Sequence, residues 1–321
     1  MKRGLFMFWF MFVYLICQAQ IFKQISTNDG LSHRHVYSII QDHKGYMWFL
    51  THDGIDRFNG SEYKHYTLLQ QNHKLNTSVN LKELFYTSDK TLWQMGANGQ
   101  VFRYSEGTDQ FEIIYSYPTE PNQTTMLDFG YIDNSQHIWM GNKGNIQIYN
   151  YQKRKSISIT QHPLYASSSV AEMGNERYAI GTYQGVYLAE IRNDSLVLDT
   201  QYDDKLLTKL PVHIDYLYYH KESNQLIIAT LKDGVYTYNF ATKQLSSPLK
   251  IRGTSVNQIV TYTNNEVLIA TSGAGVYKLD ITTNILSPFI IADYSTYDGM
   301  SGNNIKDIYI DKERQIWLAT Y

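Results

Sequence analysis

The sequence predicts an all-β fold, and three observations lead to this prediction. A unit of about 45 residues recurs along the 321-residue chain, and a period of this length is typical of modular β architectures. Within each unit, short apolar runs alternate with turn residues about every 8 to 12 positions, as in antiparallel strands joined by tight turns. The chain also contains 28 tyrosines, a residue type enriched in strands. We therefore expect four strands per unit and no long helix.

The units are expected to pack face to face in a ring. A single four-stranded sheet of this length cannot bury both of its faces, so each unit needs a neighbour on either side. Closing the units into a ring covers every face and leaves only short, protected strand edges. The sequence therefore predicts a β-propeller of four-stranded antiparallel blades.

One anchor position marks each unit, on its predicted second strand. The anchors lie 40 to 49 residues apart, at Trp48, Trp93, Trp139, Ala179, Ile227, Leu268 and Trp317. A second marker, STNDGLSHRHV from Ser26, returns as STYDGMSGNNI from Ser295, and its offset of 269 residues equals that between Trp48 and Trp317. We predict a seven-bladed propeller with six full repeats and the first half of a seventh, so that the last blade is incomplete in this chain.

The first unit illustrates how strands and turns are assigned. Its strands are predicted at 36–41, 46–51, 55–58 and 62–66, and Asp42 opens a type I turn because its side chain can accept a backbone N–H. Similar turn-opening residues are Asp133, Asn264 and Asp311. Because the anchor tryptophans occupy one fixed place in the repeat, we interpret them as wedges between blades. The alternative is a platform for stacking a sugar.

The N-terminus predicts export. Two basic residues precede an apolar run over 5–17, and small residues at Cys17 and Ala19 suit a signal-peptide cleavage site. The run is shorter than the roughly 20 residues that span a bilayer, which makes a permanent anchor the weaker interpretation. Lipid attachment at Cys17 is an alternative. We predict a signal peptide over 1–19 and a propeller over 20–321.

Composition excludes several classes of function. The formal net charge is −2, so the chain has no basic field for nucleic acid or an anionic membrane. One cysteine excludes a disulfide scaffold and a thiolate metal cluster. Hydrophobic residues make up 43% and charged residues 18% of the chain, which excludes a disordered protein. We expect no cofactor.

The segment over 29–60 resembles a known family. It reads DGLSHRHVYSIIQDHKGYMWFLTHDGIDRFNG and is similar to the two-component regulator propeller repeat in its D-G-L-S start, its Q-D-x-x-G-x-x-W core and its G-[LI]-x-R-[YF]-x-G end. Leu50 departs from this pattern, since a small residue is usual there, and the repeats anchored at Ala179, Ile227 and Leu268 lack the tryptophan. The resemblance covers nearly all of the chain after the signal peptide.

The resemblance implies the exported sensor region of a hybrid two-component system. In that family two seven-bladed propellers precede a β-sandwich, one transmembrane helix, a histidine kinase core and often a receiver with a DNA-binding domain. This chain would be the signal peptide and most of the first propeller, truncated from a longer protein. The implied function is periplasmic sensing of a polysaccharide-derived oligosaccharide, with a signal to transcription of carbohydrate-use genes. The parent would be a homodimer held in the inner membrane by segments beyond this chain.

Two other classes of function stay open. A secreted propeller glycoside hydrolase or lyase would need a pair of positioned carboxylates, for which Asp53 and Asp233 could be proposed. A carbohydrate-binding module without signalling output is the other alternative. The sequence identifies no catalytic residue in this chain. His33 and His35 could face one side of a strand, but no third metal ligand is identifiable, so no metal site is predicted.

The predicted ligand site lies on one face of the propeller. The loop that enters each first strand and the turn between second and third strands share a face, and ligands usually bind at such loop-built faces. Amide, carboxylate, guanidinium and aromatic groups there suit a neutral sugar. The candidate ligand-binding residues are Arg34, His35, His52, Asp53, Asn98, Lys143, Tyr183 and Lys232.

Overall fold

The structure is a computed structural model. It describes residues 22–67, 69–70, 73–74, 81–118, 126–142, 145–159, 167–183, 185–199, 205–210, 212–251, 255–292 and 300–320. The predicted signal peptide lies outside the described residues. No helix in these ranges is long and apolar enough to cross a membrane.

Six four-stranded antiparallel meanders, here blades 1 to 6, follow one another along the chain. Blade 1 has β1 (Val36–Gln41), β2 (Met47–Thr51), β3 (Gly54–Phe58) and β4 (Tyr63–Tyr66), and a hairpin of β5 (Leu69–Gln70) and β6 (His73–Lys74) follows it. Blade 2 has β7 (Leu81–Tyr86), β8 (Leu92–Gly96), β9 (Gln100–Ser105) and β10 (Gln110–Ser116). Blade 3 has β11 (Phe129–Ile132), β12 (His137–Asn142), β13 (Asn145–Asn150) and β14 (Lys155–Ile159).

The second half of the chain repeats this plan. Blade 4 has β15 (Ser167–Gly174), β16 (Arg177–Thr182), β17 (Gly185–Arg192) and β18 (Ser195–Leu198), followed by a short helix α1 (Lys205–Thr208). Blade 5 has β19 (Ile214–His220), β20 (Gln225–Thr230), β21 (Gly234–Asn239) and β22 (Gln244–Leu245). Blade 6 has β23 (Val256–Thr263), β24 (Glu266–Thr271), β25 (Val276–Asp280) and β26 (Ile285–Ile290). Blade 7 has only β27 (Ile305–Ile310) and β28 (Ile316–Thr320) among the described residues.

This architecture confirms the all-β propeller with four-stranded blades. The four strands of blade 1 agree with the predicted ones to within one residue at each end. Every anchor position lies on the second strand of its blade, as predicted. One feature was not predicted: β14 and β18 pair in parallel, so that blades 3 and 4 form one eight-stranded sheet.

A recurring glycine at the start of the third strand lies close to the end of the fourth strand or to the chain just after it. Gly54 has φ +140°, and a Cβ there would lie 2.4 Å from the carbonyl oxygen of Tyr66. Gly234 has φ +100°, and its Cβ would lie 2.2 Å from the carbonyl oxygen of Leu249. Only glycine combines this backbone conformation with so close a contact. The predicted glycine turn is thus explained by packing against the outer strand.

The core is divided into apolar layers between neighbouring blades. Tryptophans from blades 1, 2 and 3 fill three of these layers. Trp48, Trp93 and Trp139 are at most 1% exposed. The indole N–H of each donates to a side chain six residues earlier: to Asp42 at 2.8 Å, to Thr87 at 3.0 Å and to Asp133 at 3.0 Å. Each of the three also belongs to an apolar cluster that contains residues of the next blade, which confirms the interpretation of these tryptophans as wedges between blades.

Asp133 makes the densest of these contacts. Its Oδ1 accepts the backbone N–H groups of Ser135 at 3.0 Å and His137 at 2.8 Å. Its Oδ2 contacts His137 Nδ1 at 2.9 Å and accepts the indole N–H of Trp139 and, at 2.7 Å, the hydroxyl of Tyr178 in blade 4. One fully buried carboxylate therefore organises a turn and links two blades.

Hydrogen bonds between inner strands join neighbouring blades at several junctions. Ser38 Oγ in blade 1 accepts the N–H of Leu84 in blade 2 at 3.3 Å, and Ser169 Oγ in blade 4 accepts the N–H of Leu217 in blade 5 at 3.0 Å. At the equivalent place in blade 7, Asp307 Oδ2 accepts the N–H of Ile39 in blade 1 at 2.7 Å. The last contact, here the ring-closing bond, joins residues 268 positions apart.

Other contacts reinforce the junction of blades 7 and 1. The ammonium of Lys312 donates to the carbonyl oxygens of Asp42 at 2.7 Å and His43 at 3.1 Å. Leu31, Phe49 and Ala319 are buried in one apolar cluster at this junction. The ring is therefore closed by both polar and apolar contacts.

Replacing Asp133 by Ala should destabilise the protein strongly. The substitution removes a buried acceptor and leaves the donors of Trp139, Tyr178 and His137 unpaired, a loss of about 3–5 kcal/mol. Urea unfolding measures the loss. Asp311→Ala is the matched control, because Asp311 accepts the indole N–H of the half-buried Trp317 at 2.8 Å, and we expect a loss of only about 1–2 kcal/mol there. Equal losses in the two variants would contradict this account.

Asp307 should give the ring-closing bond a pH dependence. Burial raises the pKa of Asp307 from 3.8 to about 6, against the opposing effect of the N–H groups of Ile39 and Ile308. The folded state then holds more protons than the unfolded state between these values, so stability falls as pH rises from about 4 to 6, by about 3 kcal/mol in total. In urea unfolding from pH 4 to 7, Asp307→Asn should lack this fall. An identical pH profile in both proteins would show that Asp307 does not titrate in this range.

Candidate ligand-binding site

The two mouth loops of a blade, one entering its first strand and one joining its second and third strands, are tied together by a backbone hydrogen bond. The N–H of His52 donates to the carbonyl of His35 at 3.1 Å in blade 1, and the N–H of Leu231 donates to the carbonyl of His213 at 3.1 Å in blade 5. The same bond joins the mouth loops of blade 6. The prediction that these loops share one face is therefore confirmed, and we call this face the mouth.

In blade 1 the mouth loops bring three imidazoles together. The ring of His33 lies 4.9 Å from that of His35 and 5.0 Å from that of His52, between centroids. The backbone N–H of His35 donates to His33 Nδ1 at 3.0 Å. We call these residues the mouth histidines.

The loop that carries His33 and His35 is held in place by residues of the strands of blade 1. Asp56, which is fully buried, accepts the backbone N–H of Ser32 at 2.7 Å and its hydroxyl at 2.9 Å. The hydroxyl of Ser32 also lies 2.8 Å from that of Thr51 at the end of β2. The site is thus preorganised by the blade rather than held by solvent contacts.

The neutral form is favoured at one of the mouth histidines, His35. Burial lowers the pKa of His35, and the nearby His33, Arg34 and His52 lower it further. Arg34 and Asp53 are exposed beside the cluster. No three His, Cys, Asp or Glu side chains in the described part of the chain are arranged to hold a metal ion. The neutral ring of His35 therefore offers one donor and one acceptor, and the cluster adds the ring faces of three imidazoles.

Blades 4 and 5 present a second aromatic feature at the mouth. Tyr183, in the turn between β16 and β17, is 46% exposed, and its ring centroid lies 4.4 Å from that of His213. Leu231 beside it is 43% exposed. Lys232 follows and is exposed as well. An exposed tyrosine backed by a second ring is a suitable platform for the C–H face of a sugar.

The remaining predicted residues have different surroundings. The amide of Asn98 donates to Gln100 Oε1 at 2.7 Å and accepts the backbone N–H of Gln100 at 3.1 Å, so this side chain shapes its own turn. Lys143 lies outside the described residues. The structure therefore groups His35 and His52 with Arg34 and Asp53 on blade 1, and places Tyr183 and Lys232 on blades 4 and 5.

Sequence reasoning missed a cavity in the middle of the ring. The inner strands of blades 2 to 6 surround a space of about 390 Å³. Its lining includes three carboxylates and several aromatic rings: Glu83, Phe85, Phe129, Tyr131, Glu172, Asp215, Tyr216 and Tyr218. The sequence did carry a signal for this cavity, because the inner strands contain polar and aromatic residues. A simple alternation of buried and exposed positions does not identify such residues as the lining of a cavity.

Four-stranded meanders arranged in a ring around a central cavity define the chain as a β-propeller. The family model of the two component regulator propeller matches residues 30–53 and 299–321. The first range includes β1 and β2 of blade 1, and the second includes β27 and β28 of blade 7. The chain is therefore a β-propeller with two component regulator propeller repeats in its first and last blades. No curated protein matches the sequence significantly.

Solved structures share this fold. Extracellular domains described as those of the hybrid two component systems BT3049 and BT4673 from B. thetaiotaomicron match 94% of this chain, with TM-scores of 0.69 and 0.68 and identities of 18% and 20%. The matched part is 40% and 38% of those chains, so this chain spans about two fifths of their length. Virginiamycin B lyase from Staphylococcus aureus has a TM-score of 0.64 at 13% identity, over 89% of this chain and 92% of the lyase. At these identities the likeness establishes the fold.

Proposed function

We propose that this chain is the exported ligand-sensing propeller of a hybrid two-component sensor. The two component regulator propeller repeats in blades 1 and 7 support this function. The likeness in fold to extracellular domains of hybrid two component systems supports it as well. The N-terminal signal-peptide pattern supports export to the periplasm. The parent protein would be an inner-membrane histidine kinase, acting as a homodimer, that controls transcription of carbohydrate-use genes.

We further propose that the ligand is a polysaccharide-derived oligosaccharide bound at the mouth. The observation that carries this proposal is the tilted pair of Tyr183 and His213, in which the tyrosine is 46% exposed. Sugars bind through C–H faces on aromatic rings and through hydroxyl groups that both donate and accept hydrogen bonds. The mouth histidines and Arg34 supply such polar partners on blade 1. An oligosaccharide is long enough to contact more than one blade.

The hydrolase alternative lacks a comparable observation. Glycoside hydrolysis needs two carboxylates about 5 to 9.5 Å apart across the scissile bond. Asp53 lies on blade 1 and Asp233 on blade 5, so the two are not on neighbouring blades. The ammonium of Lys250 lies 3.8 Å from Asp233. These positions favour a binding function over hydrolysis.

Replacing Tyr183 by Ala should weaken oligosaccharide binding about tenfold, because the stacking interaction is worth about 1–1.5 kcal/mol. A glycan array with the purified protein identifies the bound oligosaccharide, and titration calorimetry measures the affinity of each variant. Tyr183→Phe should retain most of the affinity, since it keeps the ring.

Ile285→Ala is the control for a general surface effect, because Ile285 is 62% exposed and lies on an outer strand away from the mouth. Its affinity should equal that of the unaltered protein. An array without any bound glycan, or an affinity that Tyr183→Ala leaves unchanged, would contradict the proposal.

A further inference from the structure

The central cavity is built by the inner strands of five blades. Its wall consists of residues from β7, β11, β15, β19 and β23, and its volume is about 390 Å³. Ligand sites in proteins are concave spaces of about 300–1,000 Å³ with apolar walls and a few convergent polar groups. The cavity has this size and this mixture of groups.

The charge of the wall is negative. Glu83, Glu172 and Asp215 line the cavity, and none of the lining residues in the described ranges is Lys, Arg or His. Glu172 Oε2 accepts the side-chain amide of Asn134 at 2.7 Å, and Asp215 Oδ2 accepts the N–H of Val256 at 3.1 Å. Neutral hydrogen-bond donors thus orient these two carboxylates, and no cation of the lining balances their charge.

Aromatic rings form the rest of the wall and are held in place by their own contacts. Phe85 packs edge-to-face against Tyr131, with 6.0 Å between ring centroids. The hydroxyl of Tyr216 donates to Gln258, and that of Tyr218 lies 2.7 Å from the hydroxyl of Thr261. A ring face attracts a cation, and the attraction strengthens where water is displaced.

Burial raises the pKa of two titratable groups in the wall of the cavity. It raises the pKa of Tyr131 well above its usual value, so this residue stays a neutral hydroxyl. It also raises the pKa of Asp215, with the N–H of Val256 and the nearby His213 opposing. A cation placed beside Asp215 would stabilise its ionised form.

We propose that the central cavity binds the ammonium group of an amino sugar. Carboxylates and ring faces match the positive charge, while the hydroxyl oxygen of Ser168, whose O–H donates to the carbonyl of Ile214, can accept a hydrogen bond from a sugar hydroxyl. A uronic acid or a sulfated sugar would bring a second negative charge to an already negative wall. This inference rests on the proposed function, since it names the class of sugar that the propeller recognises.

The test compares sugars that differ only in charge. Glucosamine, glucose and glucuronate form one series, and galactosamine, galactose and galacturonate form a second. Binding is measured by titration calorimetry and by saturation-transfer NMR. At least one amino sugar should bind about tenfold or more tightly than its uronate, with its neutral counterpart between them.

Two variants locate the site. Glu172→Gln keeps the shape of the side chain and removes its charge, and Asp215→Asn does the same on blade 5. Glu172 lies near the end of β15 and Asp215 near the start of β19, so the two carboxylates are at opposite ends of the wall. At least one of the two variants should reduce amino-sugar affinity about three- to tenfold and should change the affinity for the neutral sugar much less. Unfolding midpoints equal to that of the unaltered protein verify the fold of each variant.

The outcomes separate this inference from the proposed function. Amino sugars that bind no better than uronates, or whose binding neither variant weakens, overturn the inference. Absence of binding by every amino sugar overturns it too. If the array nevertheless yields an oligosaccharide whose binding depends on Tyr183, the proposed function stands without the cavity. If no oligosaccharide binds but glucosamine binds in a way that depends on Glu172, the cavity site stands and the oligosaccharide proposal fails.

Discussion

The hydrogen bond from the N–H of Ile39 to Asp307 is the contact on which the ring depends. It joins blade 7 to blade 1 across 268 residues at a distance of 2.7 Å, and it repeats the geometry that Ser38 and Ser169 use between other blades. Closing so long a loop costs conformational entropy that a single contact cannot offset. The buried cluster of Leu31, Phe49 and Ala319 therefore acts with it. The closed ring in turn encloses the central cavity.

Within the ring, the anchor positions of the blades are held in two different ways. Blades 1 and 3 use a buried aspartate that accepts the indole N–H of the anchor tryptophan, and in blade 2 Thr87 takes that role. Blades 4 to 6 have small or aliphatic anchors and rely on aliphatic packing. Tyr178 connects the two kinds, because it lies next to the anchor of blade 4 and donates to Asp133 of blade 3. A repeat can therefore lose its tryptophan where its neighbour supplies the polar contact.

The fold was predictable from the sequence because turn residues, alternation and anchors recur at fixed spacing. The site was predictable only in part. The mouth loops follow from the strand order, which is why His35 and Tyr183 were correctly placed on the mouth. The cavity was not predictable, because inner strands carry an irregularity in register near their start, as at Asp215, that shifts which side chains face inward. The surroundings of Asn98 were also not predictable: its side chain bonds to Gln100 within its own turn, a local contact that spacing does not reveal, and its role as a ligand contact stays a prediction.

The mouth and the central cavity together give a physical basis for a sensor. The ring carries an aromatic platform on its mouth and a cavity with a negatively charged wall along its axis. Both depend on closure between blades 7 and 1. Native-state amide hydrogen exchange tests closure directly, through the N–H groups of Ile39, Leu84 and Leu217, which make equivalent bonds at three junctions. The account predicts that Ile39 exchanges within about tenfold of the other two. Exchange of Ile39 more than about a hundredfold faster, with Leu84 and Leu217 protected, would show that the ring opens at this junction and would contradict the account.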